Sequence, residues 1–285
     1  MVKFEVDFKQ KLISLVRKAL TDLTKMIESQ AVYISIADKE IRFFNVVSTV
    51  NHEFHIEASL VLYLDEIAEK KRVSFSSESR EINLSLNKVS DLTNTLNFSH
   101  FYNEMIMRLA KDSHDNRSLR LKFAKTDASE MVYIKDCGID FTNVKYQKDL
   151  NTQFELEIKS FYLKGIMDLS FKSSNDLLLN FNFVDNKLEI TVPNQHTTMA
   201  ISCVFTNKSE LLDKESSVSY KMYYKFCKRL YSSLNFDGPL KIGISNNKQL
   251  YIDTNLLSDA FNEDGVIGKF RFVIPLTDAE NEDGI

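Results

Sequence analysis

Residues 153–158, Gln153-Phe154-Glu155-Leu156-Glu157-Ile158, restate the opening of the chain, Val2-Lys3-Phe4-Glu5-Val6-Asp7. Both alternate apolar and polar side chains, the period of a strand with one buried face. Each is followed at once by a helical pattern. After the first comes Lys9 to Met26, where Leu12, Leu15, Val16, Ala19, Leu20 and Leu23 recur at helical spacing. After the second comes Phe161 to Phe171. A second helix then follows a strand in each half: Lys88 to Leu96 after Glu81 to Leu86, and Tyr223 to Leu234 after Ser217 to Lys221. The order strand, helix, strands, helix, strands therefore occurs twice, which predicts an internal duplication. The polar stretch between the halves predicts a connector on the outside of the molecule. The organisation read from this is a first domain 1–139, a connector 140–152 and a second domain 153–285 with a short acidic tail.

Period-two alternation recurs in Ala31 to Ala37, Glu40 to Val47, Glu53 to Leu60, Leu119 to Ala124 and Glu130 to Lys135. In the second half it recurs in Leu177 to Val184, Lys187 to Val192, Thr198 to Thr206, Leu240 to Ser245, Gln249 to Asp253 and Lys269 to Ile274. Polar breaks at Asp185-Asn186 and Asn246-Asn247 predict hairpin turns. The expected class is α+β, with sheets dominant and four helices.

The chain has 285 residues, enough for one large domain or two ordinary ones. Only 7 glycines occur, which argues against a dinucleotide fold or a phosphate-cradling loop, since both need glycine at set places. The 3 cysteines (Cys137, Cys203, Cys227) are odd in number and far apart, so no disulfide framework or paired-cysteine zinc site is predicted. Cys203 falls in an apolar alternation and reads as a buried small hydrophobe. No leader peptide or membrane span is visible in the pattern, so a soluble intracellular protein without membrane contact is expected. The net charge of −4 excludes a polycation that coats DNA but leaves room for a local basic face.

Chemistry-bearing residues are dispersed. His52 and His55 are three apart on a strand pattern and point to opposite faces. His100, His114 and His196 are scattered, and nothing completes a metal-ligand set. No nucleophile–base arrangement can be located from spacing. No catalytic residue, metal or cofactor is predicted. Opposite the apolar face of the first helix, however, lie Ser14, Arg17, Lys18, Thr21 and Lys25, a basic face with hydroxyls. The region of the fourth helix carries Lys221, Lys225, Lys228 and Arg229. The tyrosines around it, with Phe226, read as core packing.

Two copies of this element order joined by a connector resemble the DNA sliding clamps. The start of the chain, with Leu15-Val16-Arg17-Lys18-Ala19-Leu20-Thr21-Asp22-Leu23, is similar to proliferating cell nuclear antigen and its checkpoint relatives. Ser160-Phe161-Tyr162-Leu163-Lys164-Gly165-Ile166-Met167-Asp168-Leu169-Ser170 resembles the first helix of that family's second domain. Phe270-Arg271-Phe272-Val273-Ile274-Pro275-Leu276 resembles its last strand. Asn246 to Asp253 and the Ile274-Pro275-Leu276 ending look closest to the Hus-one-type subunit of the 9-1-1 checkpoint clamp. The acidic tail Asp278 to Gly284 is instead similar to the replicative clamp.

The resemblance implies a DNA-clamp fold with outer antiparallel sheets and four helices on the inner concave face. It implies a non-enzymatic nuclear ring subunit that encircles double-stranded DNA without sequence specificity. Its partners would be two other clamp-like subunits or further copies of itself, a clamp loader, and checkpoint and repair proteins. The DNA-facing residues would be Arg17, Lys18, Lys25, Lys164, Lys221, Lys225, Lys228 and Arg229. Asp91 and Asn94 stand where a replicative clamp presents lysines. Subunit-interface edges would contain Met131, Val132, Tyr133 and Ile134 in the first half, and Met199, Ile201, Cys203 and Phe205 in the second. A partner pocket would involve Phe141, Val144 and Tyr146 with Val273, Pro275 and Leu276. A replicative homotrimer and a two-domain structural β protein without DNA remain the alternatives.

Overall fold

The computed structural model describes all residues except 1–2, 27–30, 49–53, 76–79, 112–115, 126–130, 147–151, 172–177, 185–186, 193–196, 203–217, 224–238, 246–248, 259–264, 276 and 279–285. The chain divides into two compact units, Met1–Gln147 with Leu256–Phe270, and Lys148–Asn255 with Arg271–Ile285. Antiparallel sheet dominates both, with few helices, an α+β composition.

The first unit opens with β1 (Lys3–Phe8), a 3-10 turn (Gln10–Leu12) and α1 (Ile13–Met26). Next come β2 (Val32–Ala37), β3 (Glu40–Ser48), β4 (Phe54–Tyr63), the single turn α2 (Leu64–Ile67), β5 (Ala68–Ser74) and β6 (Glu81–Leu86). It continues with α3 (Val89–Phe98), a 3-10 turn (Ser99–Phe101), β7 (Glu104–Lys111), β8 (Arg117–Lys125) and β9 (Met131–Phe141). Pairing runs β5-β1-β7-β8-β9 in one direction and β9-β6-β2-β3-β4 in the other. The hinge between them is inside β9. Its residues up to Gly138 pair with β8, and Ile139 to Phe141 pair with β6. Gly138 makes the switch sterically easy: a Cβ there would come within 3.2 Å of the Asn87 side chain, whose backbone N–H donates to the Gly138 carbonyl at 2.9 Å.

Alternation explains the core. Val32, Ile34 and Ile36 of β2 share a face with Ile41 and Phe43 of β3, Leu60 and Leu62 of β4, and Leu84 and Leu86 of β6, and all are buried. Leu12 of the 3-10 turn and Val16, Ala19, Leu20 and Leu23 of α1 are buried, as are Leu92 and Leu96 on α3, and the two helices pack together. Each fully buried leucine or isoleucine contributes roughly 1.5–3 kcal/mol relative to exposure.

The second unit contains β10 (Thr152–Lys159), α4 (Ser160–Phe171), β11 (Leu178–Val184), β12 (Lys187–Val192), β13 (Thr197–Ser202) and β14 (Val218–Tyr223). It continues with β15 (Pro239–Ser245), β16 (Gln249–Leu257), β17 (Val266–Pro275) and β18 (Thr277–Asp278); the unit boundaries fall within β16 and β17. Its pairing orders are β10-β15-β16-β17 and β13-β12-β11-β14-β18. These repeat β1-β7-β8-β9 and β4-β3-β2-β6-β9 of the first unit. α4 stands where α1 does, directly after the opening strand.

The structure departs from the sequence expectations in identifiable ways. β5 and β7 carry no clean apolar alternation: β5 is mostly charged, and β7 buries Met105 and Met107, residues without β preference. β9 extends through Phe141, two residues into the expected connector. Lys221, grouped with the basic residues of the fourth-helix region, sits in β14 at the end of the expected strand, where Val218 to Tyr223 alternate and Lys221 pairs with Asn180 and Thr277. Tyr223 likewise ends β14, and the rest of the expected fourth helix lies outside the described residues.

Candidate nucleic-acid face and strand edges

α1 exposes Ser14 and Lys18, with Arg17 and Thr21 half-buried; Lys11, just before it, is exposed too. Its one acid, Asp22, is buried at 7%. The face opposite the core is therefore basic and hydroxylic. Arg17 does not point into solvent as a plain cation. Its Nη1 donates to the Ser99 carbonyl at 2.6 Å, and burial lowers the pKa of the guanidinium from its ordinary value. It thereby satisfies a carbonyl at the C-terminal end of α3, where unpaired carbonyls and the helix dipole favour a cation. Lys25 lies on the last turn of α1 by backbone position.

α3 begins after Lys88, which is extended and exposed. Asp91 lies in its first turn, the end where negative charge is favourable, and pairs with Lys135 of β9 at 3.7 Å. Asn94 and Asn97 are exposed. At the far end, Phe98 and Phe101 are 65% and 66% exposed, with the His100 ring centroid 3.7 Å from that of Phe101. His100 is held by Nδ1 against the Asn97 carbonyl at 2.7 Å.

α4 presents Phe161, Tyr162, Gly165 and Asp168 to solvent, while Lys164 is half-buried. The Phe161 and Tyr162 rings lie 4.1 Å apart. This helix is more aromatic than basic. Lys221 is on a strand, and Lys225, Lys228 and Arg229 lie outside the described residues. Of the eight expected DNA-facing residues, the structure brings Arg17, Lys18 and Lys25 onto one helix, and it diverts Arg17 to a structural bond.

The strand edges are more distinctive. Residues 131–136 of β9 pair with β8 alone among the described residues, so their other side is an edge. Met131, Val132 and Ile134 on it are exposed, at 54%, 47% and 53%, while Tyr133 is half-buried. Beyond Ile134 on the same face, Asp136 accepts two hydrogen bonds of 2.6 Å from Arg120, which hold its carboxyl below the usual range. The other edge of this run, β5, exposes Glu69, Lys70, Lys71 and Arg72. Charged residues on an edge discourage strand addition, whereas an apolar edge invites it. In the second unit β13 is the terminal strand of its sheet among the described residues and contains Met199 and Ile201; Cys203 and Phe205 lie outside the described residues.

The residues expected in the partner pocket are divided between the two units, with Phe141, Val144 and Tyr146 in the first and Val273 and Pro275 in the second. Phe141 is exposed, with the Arg117 guanidinium 4.1 Å from its ring centre. Val144 is half-buried and donates its N–H to Thr142 Oγ1 at 3.2 Å. Tyr146 is used to fasten the chain down. Its ring meets Phe44 edge-on at 5.3 Å, the Arg42 guanidinium lies 5.2 Å from its centre, and its hydroxyl is 3.3 Å from Ser59 Oγ. Val273 is buried in the second unit, so its side chain lines no surface there. Pro275 ends β17, and Leu276 lies outside the described residues.

Sequence reasoning missed the exposed aromatic side chains. Phe98 lies two residues past Leu96, off the Leu92–Leu96 line, and that offset was the available signal. Among the described residues no group of three or more histidines, cysteines and carboxylates could hold a metal ion. No described helix is long and apolar enough to cross a membrane. No family model matches the chain, and no curated protein matches it.

Proposed function

We propose that the chain is a non-enzymatic subunit of a ring-shaped DNA sliding clamp, of the checkpoint heterotrimer type. It would act in the nucleus as a platform for checkpoint and repair factors after a loader closes the ring. The observation that carries this reading is the repeated pairing order. One strand order, β10-β15-β16-β17 with β13-β12-β11-β14-β18, recurs from β1-β7-β8-β9 with β4-β3-β2-β6-β9, and a helix follows the first strand each time. A clamp needs two such units per subunit, basic helices toward the phosphates, and edges that join neighbours.

The edges support the same reading. β9 offers an apolar edge while β5 is charged, the asymmetry expected if one side pairs with a neighbour and the other must not. The basic and hydroxylic outer face of α1 suits phosphate contacts that carry no sequence information. A second reading, a homotrimeric processivity clamp, draws on β13 being an edge of the same chain, since a β9 edge could meet a β13 edge of another copy.

Light scattering separates the two. The chain alone should be a monomer that assembles only with other clamp-like chains; a stable homotrimer would favour the replicative reading. The assembled ring should stay on closed circular DNA and slip off once the circle is cut. A ring that never forms, or retention indifferent to cutting, would overturn the clamp reading.

A further inference from the structure

The turn after α3 combines features that phosphate contacts alone do not require. Phe98 and Phe101 expose about two-thirds of their surface each, and His100 lies against Phe101 with its ring centre 3.7 Å away. Large apolar side chains exposed within one short turn mark an interaction site more often than a solvated surface. What surrounds them identifies the chemistry. Arg17 of α1 bonds the carbonyl of Ser99, between Phe98 and His100, so the middle of α1 abuts this turn. The next residue, Lys18, is exposed, as is Ser14 one turn earlier.

No carboxylate is exposed among the described residues of α1 and α3. Asp22 is buried, and Asp91 is half-buried and paired with Lys135. The exposed polar groups of this layer are Lys11, Ser14, Lys18, Lys88, Ser90, Asn94 and Asn97: cations, hydroxyls and amides. An apolar peptide would gain little from such a rim. A polyanion with flat π-faces would use all of it. Base stacking on aromatic side chains and cationic contacts to the backbone are the two components of single-stranded nucleic-acid binding.

We infer that the Phe98–His100–Phe101 turn, with Lys18 on the helix bonded to it, is a stacking site for the unpaired bases of single-stranded nucleic acid. A duplex does not offer its base faces, so the site discriminates strand form and not sequence. The inference goes beyond the clamp reading, because a ring that slides on duplex needs no stacking platform. It rests on that reading only for the expectation that nucleic acid reaches this helix layer.

The test uses the full chain with fluorescent oligothymidylate and a duplex of equal length, by anisotropy at low and physiological salt. The paired substitution Phe98→Ala, Phe101→Ala should weaken oligothymidylate binding by about tenfold or more, since each stacked base contributes of this order, and leave duplex binding within about twofold. Lys18→Glu should weaken both and flatten the salt dependence. Because both rings are exposed, the paired variant keeps its fold, checked by circular dichroism. Unchanged oligothymidylate binding in it, or an equal loss on both strand forms, would overturn the inference. So would loss of assembly with other clamp-like chains while nucleic-acid binding stays intact, which would reassign the patch to a protein contact. Ring formation is scored separately by light scattering: a chain that binds oligothymidylate through these rings but forms no ring even with other clamp-like chains keeps this site and overturns the clamp reading alone.

Discussion

Arg17 and Ser99 are joined by a hydrogen bond of 2.6 Å from guanidinium Nη1 to main-chain carbonyl, across 82 positions of sequence. The bond fixes the C-terminal end of α3 to α1, and with it the turn that carries the exposed rings. Arg17→Ala should therefore cost about 1.5 kcal/mol of stability in chemical denaturation, the range for a hydrogen bond with one charged partner. Arg17→Lys should recover part of this, since an ammonium can reach a carbonyl but lacks the planar fork. A residue serving only as a phosphate contact would leave stability unchanged and lower only the salt slope of DNA binding, and that result would refute the capping role.

Val132 and Ile134 are exposed on the edge of β9, and under the proposed clamp reading that edge joins a neighbouring subunit. Val132→Lys with Ile134→Lys should abolish subunit association, because two ammonium groups would have to lose water beside a partner's backbone. Both side chains are about half exposed, so the fold should lose no more than about 0.5 kcal/mol. Light scattering and thermal unfolding on the same sample check both parts. Association that survives the double change would mean that subunits meet elsewhere.

How much of this could be read from the chain depends on what each residue answers to. The repeat was legible because alternation and helical spacing are local, and the opening strand of each half is followed directly by its helix. The β9 edge was legible as a strand, but its free side is a matter of tertiary pairing. Arg17 looked like a surface cation because its acceptor lies in a distant segment. Gly243 shows the same limit. It pairs with Tyr251 across β15 and β16, and the tyrosine ring lies over it so closely that a Cβ would fall 2.1 Å from ring atoms. Composition gave that glycine no meaning; the neighbouring strand does, by letting an aromatic ring cover bare backbone.

Arg42 carries a charge that is 1% exposed, within a sheet. It is satisfied by Glu40, by Glu81 at 3.3 Å and by Ser35 Oγ at 3.1 Å, with the Tyr146 ring over it. Arg42→Ala strands two partly buried carboxylates and removes the seat of Tyr146, and should cost roughly 3–5 kcal/mol. Arg42→Met leaves the same carboxylates, which keep some access to water, but refills the space under Tyr146, and should cost clearly less. Tyr146→Phe loses only the contact to Ser59 Oγ, about 0.5–1 kcal/mol. Equal losses for the alanine and methionine variants would show that charge satisfaction, and not packing, governs this site. Protease sensitivity of the 142–146 segment should rise in the alanine variant, because its anchor is gone.

Cys137 sits in β9 immediately before the glycine at which that strand changes partners. Its side chain is fully buried, and burial pushes the thiol up to about 11, with Asp91 adding in the same direction. The folded chain thus holds the proton more tightly than the unfolded chain, whose thiol titrates near 9.0. Its proton contributes nothing to pH dependence well below that point. As pH rises past it, the unfolded state deprotonates first and stability falls, by on the order of 1–2 kcal/mol before the folded thiol follows. Two consequences are measurable in a background where Cys203 and Cys227 are serine. The native protein should react with iodoacetamide far more slowly than its denatured form at mildly alkaline pH, since the thiolate is the nucleophile and is suppressed by burial. Cys137→Ala should flatten the alkaline fall in unfolding temperature. Rapid alkylation of the native protein, or an unchanged alkaline profile in the alanine variant, would show that this thiol ionises in the folded chain.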